Sequence, residues 1–228
     1  MKTIGLIGGM SWESTARYYA LINRETARLC GGLHSAPMLI HSLDFAPIAA
    51  MQAAGAWEKA ETILVESAKN LAAAGAGIVI LATNTMHIAA GAIEAAVPGR
   101  FIHIADPVAD ALLADGAQTV GLLGTRFTME MDFLKDRLRA RGLTPLVPEI
   151  GHTDLDAIIF EQLCRGIVTE PSRATYVSAI ERLGANGAQA VILGCTELNM
   201  LIDETNSPLP VYDTTELHAR AAVTAALA

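Results

Sequence analysis

The chain has 228 residues, of which 52% are apolar and 18% are charged, which is enough apolar material for one or two globular cores. A formal net charge of −8 argues against binding to nucleic acid or to anionic membrane surfaces, and no apolar run approaches the length of a membrane span. The three cysteines lack the spacing of a disulfide framework or a zinc site, so we expect free thiols, a reducing cytoplasm and no metal.

Short apolar runs alternate with helix-like stretches along the chain. The runs predict strands at Ile4–Ile7, Met38–His41, Ile78–Leu81, Ile102–Ile104, Thr119–Leu123, Ala190–Leu193 and Val211–Tyr212. The helix-like stretches lie near Thr15–Cys30, Trp57–Ala74, His87–Ala96, Pro107–Ala114, Phe127–Arg141, Asp154–Arg165 and Pro171–Leu183. Because continuous apolar strands are typical of parallel sheets covered on both faces, this order predicts an α/β fold with right-handed crossovers. The strand pattern begins almost at Met1, so we expect no signal peptide.

The chain also contains an internal repeat. Three pairs of segments match in the same order, namely Gly5–Gly9 with Gly121–Thr125, Gly75–Thr83 with Gly187–Cys195, and Phe101–Asp106 with Leu209–Asp213. Their offsets at Gly5, Thr83 and Asp106 are 116, 112 and 107 residues. The drift is slow and the order is kept, so the repeat predicts two homologous α/β lobes with a boundary near residues 106–115.

Two matched strand ends carry the side chains that are candidates for chemistry. Thr83 is followed by Asn84 and Thr85, and Cys195 is followed by Thr196 and Glu197. In open α/β sheets the carboxyl ends of the strands line the ligand crevice. Taken alone, the hydroxyls of the Thr83 segment are better explained by capping of the following helix, and a buried cysteine is often only a small apolar residue. If functional, Cys195 is expected to have a lowered pKa and to form a reactive thiolate.

Two glycine-containing turns are further candidates. Gly5–Met10 is not a dinucleotide fingerprint, but its N–H groups could face a carboxylate at a helix N-terminus. Thr125 and Thr128 follow the matching strand of the second lobe and could hold a substrate α-carboxylate, or could simply cap a helix. His87 is interpreted as a structural histidine.

These motifs together resemble the aspartate/glutamate racemase superfamily over essentially the whole chain. The matching segments are Gly8-Gly9-Met10, Thr83-Asn84-Thr85-Met86-His87 and Gly194-Cys195-Thr196-Glu197, with Ser11–Thr15 pointing to a branch that includes racemases of broad specificity. The resemblance implies two pseudo-symmetric Rossmann-like lobes, residues 1–108 plus about 212–228 and residues 109–211, with the active site in the cleft between them. It also implies a homodimer, no cofactor, Thr83 and Cys195 as the catalytic pair, and a substrate-binding set of Met10, Gln52, Asn84, Thr85, Thr125, Thr128, Cys164, Arg165, Thr196 and Glu197. The absence of pyridoxal phosphate agrees with the position of the four lysines, none of which adjoins a motif.

The chain departs from the family pattern at both proton-transfer and recognition positions. Thr83 replaces the first cysteine, and a hydroxyl is a far poorer base than a thiol, so we expect the two enantiomers to react at unequal rates with Cys195 abstracting the proton in the faster direction. The resemblance implies that aspartate-selective relatives use an arginine in the segment after the second strand and a lysine in a Lys-x-Gly turn. In this chain the corresponding segment holds Gln52, and Cys164-Arg165-Gly166 replaces the lysine turn. A lost bidentate arginine weakens the case for an acidic substrate, although Arg165 could substitute.

The leading hypothesis is therefore a cofactor-independent amino-acid racemase, with aspartate and glutamate as the first substrates to try. One alternative is a decarboxylase or a diacid isomerase that uses a single thiol. Another is a non-catalytic protein that binds a small acid between two lobes, since fold alone does not decide function.

Overall fold

The structure, a computed structural model, describes residues 1–149 and 151–228. It divides into two compact units, one formed by Met1–Ile104 with Thr215–Ala228 and the other by Ala105–Thr214. Both contain parallel strands alternating with helices, so the predicted α/β class with two helix-flanked parallel sheets is confirmed.

The first unit is built on a three-stranded parallel sheet in the order β2-β1-β3. Its strands are β1 (Ile4–Gly8), β2 (Met38–Ser42) and β3 (Ile78–Leu81). Its helices are α1 (Trp12–Cys30), α2 (Phe45–Ala53), α3 (Trp57–Ala73) and α4 (Ala90–Ala96), and most of α10 (Thr214–Leu227) belongs to the same unit. Alternate strand residues face opposite sides of the sheet, which places Ile7 in a core with α3 and Leu6 in a core with α1 and α10.

The second unit contains a four-stranded parallel sheet in the order β5-β4-β6-β7. Its strands are β4 (Thr119–Gly124), β5 (Thr144–Leu146), β6 (Ala190–Gly194) and β7 (Val211–Asp213). Its helices are α5 (Ala105–Ala114), α6 (Arg126–Glu130), α7 (Asp132–Ala140), α8 (His152–Ala157) and α9 (Glu170–Ala185). A bidentate ion pair from Arg137 to Asp106, at 2.7 and 2.8 Å, ties α7 to α5.

The strand register shows the internal repeat directly. Gly5 pairs with Val79 in the first unit, and Gly121 pairs with Val191 in the second, so the central strands of the two sheets align with the offsets found in the sequence. The third segment match is wrong by three residues. Val79 pairs with Phe101 and Val191 pairs with Val211, which makes Phe101 the counterpart of Val211.

Several predicted elements differ from those observed. The strand expected at Ile102–Ile104 is reduced to an isolated bridge at Phe101, because the chain turns there into α5. The single helix expected over Phe127–Arg141 is two helices that break at Met131, whose backbone is extended. The stretch expected to be helical over Asp154–Arg165 changes from α8 to a π turn and then to a 3₁₀ turn. Among the described residues, no helix has the length and apolar character needed to cross a membrane.

Candidate functional site

The candidate residues fall into two sets, one at the carboxyl end of each sheet. The first set comprises Met10, Gln52, Thr83, Asn84 and Thr85, all in the first unit. The second comprises Thr125, Thr128, Cys164, Arg165, Cys195, Thr196 and Glu197, all in the second unit. Because every strand pair is parallel, the loops after the strands of each sheet emerge along one edge.

The turn after β1 is tightly packed and leaves little room for a ligand. The backbone N–H of Gly9 donates to Thr15 Oγ1 at 2.7 Å, so this donor is occupied within the protein. Gly9 has a φ of +88°, and a Cβ there would lie 2.1 Å from the carbonyl oxygen of Leu43. Ser11 caps α1 by accepting from the Ser14 N–H at 3.2 Å. The expectation that N–H groups of this turn are free for a carboxylate is therefore wrong for Gly9.

The segment after β3 is held in place by His87. His87 Nδ1 lies 2.7 Å from the Thr83 carbonyl oxygen, and the Ile104 N–H donates to His87 Nε2 at 3.1 Å. Since Nε2 accepts, the proton must sit on Nδ1 and be donated to Thr83, which defines the neutral tautomer. The interpretation of His87 as a structural histidine agrees with this geometry.

The side chains around Thr83 differ in exposure. Asn84 and Thr85 are buried, whereas Thr83 is only partly buried. Within residues 1–149 and 151–228, no hydrogen-bond partner is present for the Thr83 hydroxyl. Thr83 does not act as the side-chain cap of the 3₁₀ turn that follows at Thr85–Ala89, which leaves its hydroxyl available for other chemistry.

Gln52 lies on α2 and reaches the same segment. Its Nε2 donates to Met86 Sδ at 3.0 Å, and both side chains are buried. Met86 and Met10 belong to one apolar cluster. The contact with Met86 was not predicted, because the two residues are 34 positions apart in sequence and meet only through the packing of α2. The one signal for this contact in the sequence was that Met86 lies within the Thr83–His87 motif.

In the second unit, the turn after β4 forms a helix cap. Thr125 accepts from the Thr128 N–H at 3.4 Å, and the two hydroxyl oxygens lie 3.2 Å apart. The Arg126 N–H donates to Asp156 Oδ1 at 2.7 Å. The simpler alternative for these threonines, capping, is thus present in the structure, and a substrate carboxylate would have to compete with it.

Two glycines allow the ends of β4 and β6 to lie close together. Gly124 pairs with Gly194, and a Cβ on Gly124 would lie 2.8 Å from the Gly194 carbonyl oxygen. A Cβ on Gly194 would lie 2.9 Å from the Leu123 carbonyl oxygen. This close approach, next to Thr125, defines the position of Cys195 directly after β6.

The Cys195 thiol is buried and hydrogen-bonded to a carboxylate. Its Sγ lies 3.1 Å from Glu197 Oε2, and the Thr196 hydroxyl donates to the same oxygen at 2.5 Å. Burial raises the pKa of the Cys195 thiol well above its usual range, and the negative charge of Glu197 raises it further, although a backbone hydrogen bond from Glu197 acts in the opposite direction. The expectation of a lowered pKa is wrong for this structure, because only a short 3₁₀ turn at Leu198–Met200 follows the thiol and the charge beside it is negative.

Cys164 and Arg165 are the exposed residues of a short 3₁₀ turn that ends at Gly166, which has a φ of +72°. Cys164 is close enough to Cys195 for its charge to raise the pKa of that thiol. Within residues 1–149 and 151–228, no ion-pair partner is present for the Arg165 guanidinium. The described residues also contain no group of three or more His, Cys, Asp or Glu side chains arranged to hold a metal ion.

Comparisons with known proteins place this geometry in context. The family described as Asp/Glu/hydantoin racemase matches residues 7–222. A candidate Asp/Glu racemase from Yersinia pestis is 44% identical over the full length of both chains, with a TM-score of 0.94. An aspartate racemase homologue from Pyrococcus horikoshii is 33% identical over the full length of both, with a TM-score of 0.86. The broad-specificity amino-acid racemase RacX of Bacillus subtilis is 24% identical over 99% of this chain and 98% of its own. The chain belongs to the Asp/Glu/hydantoin racemase family.

Proposed function

We propose that the protein is an amino-acid racemase that interconverts L and D forms without a cofactor, by removing and returning the α-proton. The observation that carries the proposal is the Cys195 thiol at the end of β6, buried and hydrogen-bonded to Glu197 at 3.1 Å. The proposal is supported by membership of a racemase family. It is also supported by the pairing of the Cys195 thiol with the Glu197 carboxylate, since a thiol in such a pair can exchange a proton with a carbon atom.

In the resting protein the thiol is neutral, because burial and the Glu197 charge both disfavour the thiolate. The base is formed when the S–H proton passes along the existing hydrogen bond to the Glu197 carboxylate. The thiolate then takes the α-proton from the substrate, and the electron pair of the broken C–H bond stays on the substrate as a carbanion. Hydrogen-bond donors around the substrate carboxylate are needed to stabilise that carbanion.

Thr83 supplies the second proton position in this proposal. Its hydroxyl gives a proton to the carbanion and regains one from water, because an alkoxide is too basic to persist. Since L and D forms are equally stable, kcat/KM must be the same in both directions. The difference between Thr83 and Cys195 is therefore expected in kcat and KM separately, with the higher kcat when Cys195 abstracts.

Proton NMR in deuterated buffer tests the proposal on paired L- and D-amino acids. Loss of the α-proton signal together with inversion, measured by chiral chromatography, is expected for wild type and should be abolished in Cys195→Ser. Thr83→Ala should slow inversion more than it slows exchange. Exchange that is unchanged in Cys195→Ser would contradict the assignment of the base, and a protein that binds amino acids without exchange would be a binding protein.

A second candidate function follows from the single thiol in the proposed Thr83–Cys195 pair. One thiol is sufficient to protonate a planar carbanion from one face, as in a decarboxylation or a diacid isomerisation. Exchange of only one enantiomer with retained configuration, or turnover of a diacid in place of an amino acid, would favour this chemistry.

A homodimer, implied by the resemblance, is a separate expectation that light scattering tests.

A further inference from the structure

We infer that the racemase selects amino acids with uncharged side chains and that Gln52 sets this selectivity. The inference rests on the proposed function and deepens it by naming the substrate class. It is carried by an unusual feature of α2, a helix that buries its single polar side chain.

The helix α2 has no charged residue. Within Phe45–Ala53 the side chain of Gln52 is the only polar one, and it is 8% exposed, whereas Ala46, Ala50 and Ala53 face solvent. An ordinary surface helix places its polar residues outward and its apolar residues inward. Burial of a carboxamide is unfavourable unless its hydrogen-bonding capacity is satisfied. The burial of Gln52 therefore indicates that its carboxamide has a role on the interior side of α2.

The hydrogen bonds of Gln52 are largely unused within the protein. One Nε2–H donates to Met86 Sδ at 3.0 Å, and a thioether is a weak acceptor. Among the described residues, no partner is present for the second N–H or for the side-chain carbonyl. This amide can therefore donate to and accept from a ligand beside the Thr83–His87 segment.

The surroundings of Gln52 are apolar. Met10, Ile48 and Met86 are each no more than 5% exposed and lie in one apolar cluster, which Phe45 and Leu43 extend. These side chains offer dispersion contacts and no charge. A single amide surrounded by apolar side chains is suited to a substrate whose side chain is apolar or carries one hydrogen-bonding group.

Three arginines of this unit, Arg28, Arg100 and Arg220, are engaged at other positions. Arg28 pairs with Glu25 at 2.7 Å, Arg220 pairs with Glu216 at 2.5 Å, and Arg100 donates to the carbonyl oxygens of Ala72 and Ala76 before β3 begins. A substrate carboxylate placed against Gln52 would meet an amide and methyl groups. Removing water from the side-chain carboxylate would then oppose the binding of aspartate or glutamate. Asparagine and glutamine carry no charge on the side chain, so their binding does not have this cost.

The test compares substrates that differ only in charge. The kcat/KM for α-proton exchange is measured for glutamine against glutamate and for asparagine against aspartate. Wild type should favour the amide of each pair by about tenfold or more. Gln52→Glu, which has nearly the same shape, should widen that ratio through like-charge repulsion. Gln52→Arg should reverse it in favour of the acids. Ala53→Glu puts a charge on the exposed face of the same helix and should leave the ratio unchanged.

The outcomes separate this inference from the function on which it rests. Faster exchange of glutamate and aspartate by wild type would overturn the inference while leaving the racemase intact, and sensitivity of that exchange to Arg165→Ala would identify the missing cation. A ratio that is equal in wild type, Gln52→Glu and Gln52→Arg, all shown to be folded by thermal melting, would overturn the role of Gln52. No exchange of any amino acid by wild type would overturn the proposed function, and the inference with it.

Discussion

Replacing Glu197 with glutamine should make Cys195 react faster with an alkylating agent. In the structure the carboxylate accepts the S–H hydrogen bond at 3.1 Å and its charge raises the pKa of the thiol. Glutamine keeps the shape and the possibility of a hydrogen bond but removes the charge. The neutral thiol therefore loses its charged acceptor, and the thiolate loses a like charge.

The size of the effect follows from the distance. Two unit charges 3.1 Å apart repel each other by about 1.3 kcal/mol even at the dielectric constant of water. This corresponds to about tenfold in the thiolate population. Because Cys195 is buried and water screens charges most strongly, about tenfold is a lower bound for the gain in thiolate population at neutral pH. The alkylation rate should rise in the same direction but by a smaller factor, because a thiolate of lower pKa is a weaker nucleophile.

The assay is alkylation by iodoacetamide between pH 7 and pH 9, followed by peptide mass spectrometry at Cys195. The exposed Cys30 serves as an internal reference, and Cys195→Ser confirms the peptide assignment. Glu204→Gln removes the same charge from an exposed position and should leave the rate unchanged. Alkylation of Glu197→Gln at the wild-type rate, or more slowly, would refute the electrostatic account of this thiol.

Three further predictions concern stability. His87→Ala removes the partner of the Thr83 carbonyl and should lower the free energy of unfolding in urea by about 1–3 kcal/mol or more, with an unchanged midpoint as the contrary result. The raised pKa of Cys195 means that the native state holds its proton longer than the unfolded chain, so its contribution is complete below about pH 8.5 and is lost as the pH rises toward the native value. Urea unfolding of wild type should therefore weaken more steeply above pH 8.5 than that of Cys195→Ala, and parallel curves would count against the raised pKa. Gly194→Ala forces a Cβ to 2.9 Å from a backbone carbonyl of β4 and should lower Tm, whereas Gly184→Ala in α9, whose nearest neighbours lie at 3.5 Å or more, should raise it slightly.

The fold class and the correspondence between the central strands of the two sheets could be read from the sequence because they depend on local patterns. Continuous apolar runs predicted the parallel strands, and the repeat offsets at Gly5 and Thr83 reappear in the register of β1 with β3 and of β4 with β6. The third segment match was displaced by three residues, because similarity of short segments does not define which residues pair. The bridge between Val79 and Phe101 supplies that information.

The electrostatic state of Cys195 could not be predicted from its position in the chain. A strand end followed by hydroxyl residues is compatible with a helix dipole that lowers a thiol pKa. In the folded protein the next α-helical turn does not form, the thiol is buried, and the carboxylate two residues later folds back onto Sγ. Burial and a contact distance are properties of the tertiary structure, and here they reverse the direction of the expected pKa change.

The sequence by itself determined the α/β class, the repeat, and the two motifs that end in Thr83 and Cys195, because each is a short pattern of residue types. Only the tertiary structure decided which of those polar groups are already engaged. It brought Gln52 of α2 against Met86, joined His87 to the Thr83 carbonyl, and paired Cys195 with Glu197. Chemistry at a site depends on distances and burial between residues, and these arise only when the helices pack onto the sheets.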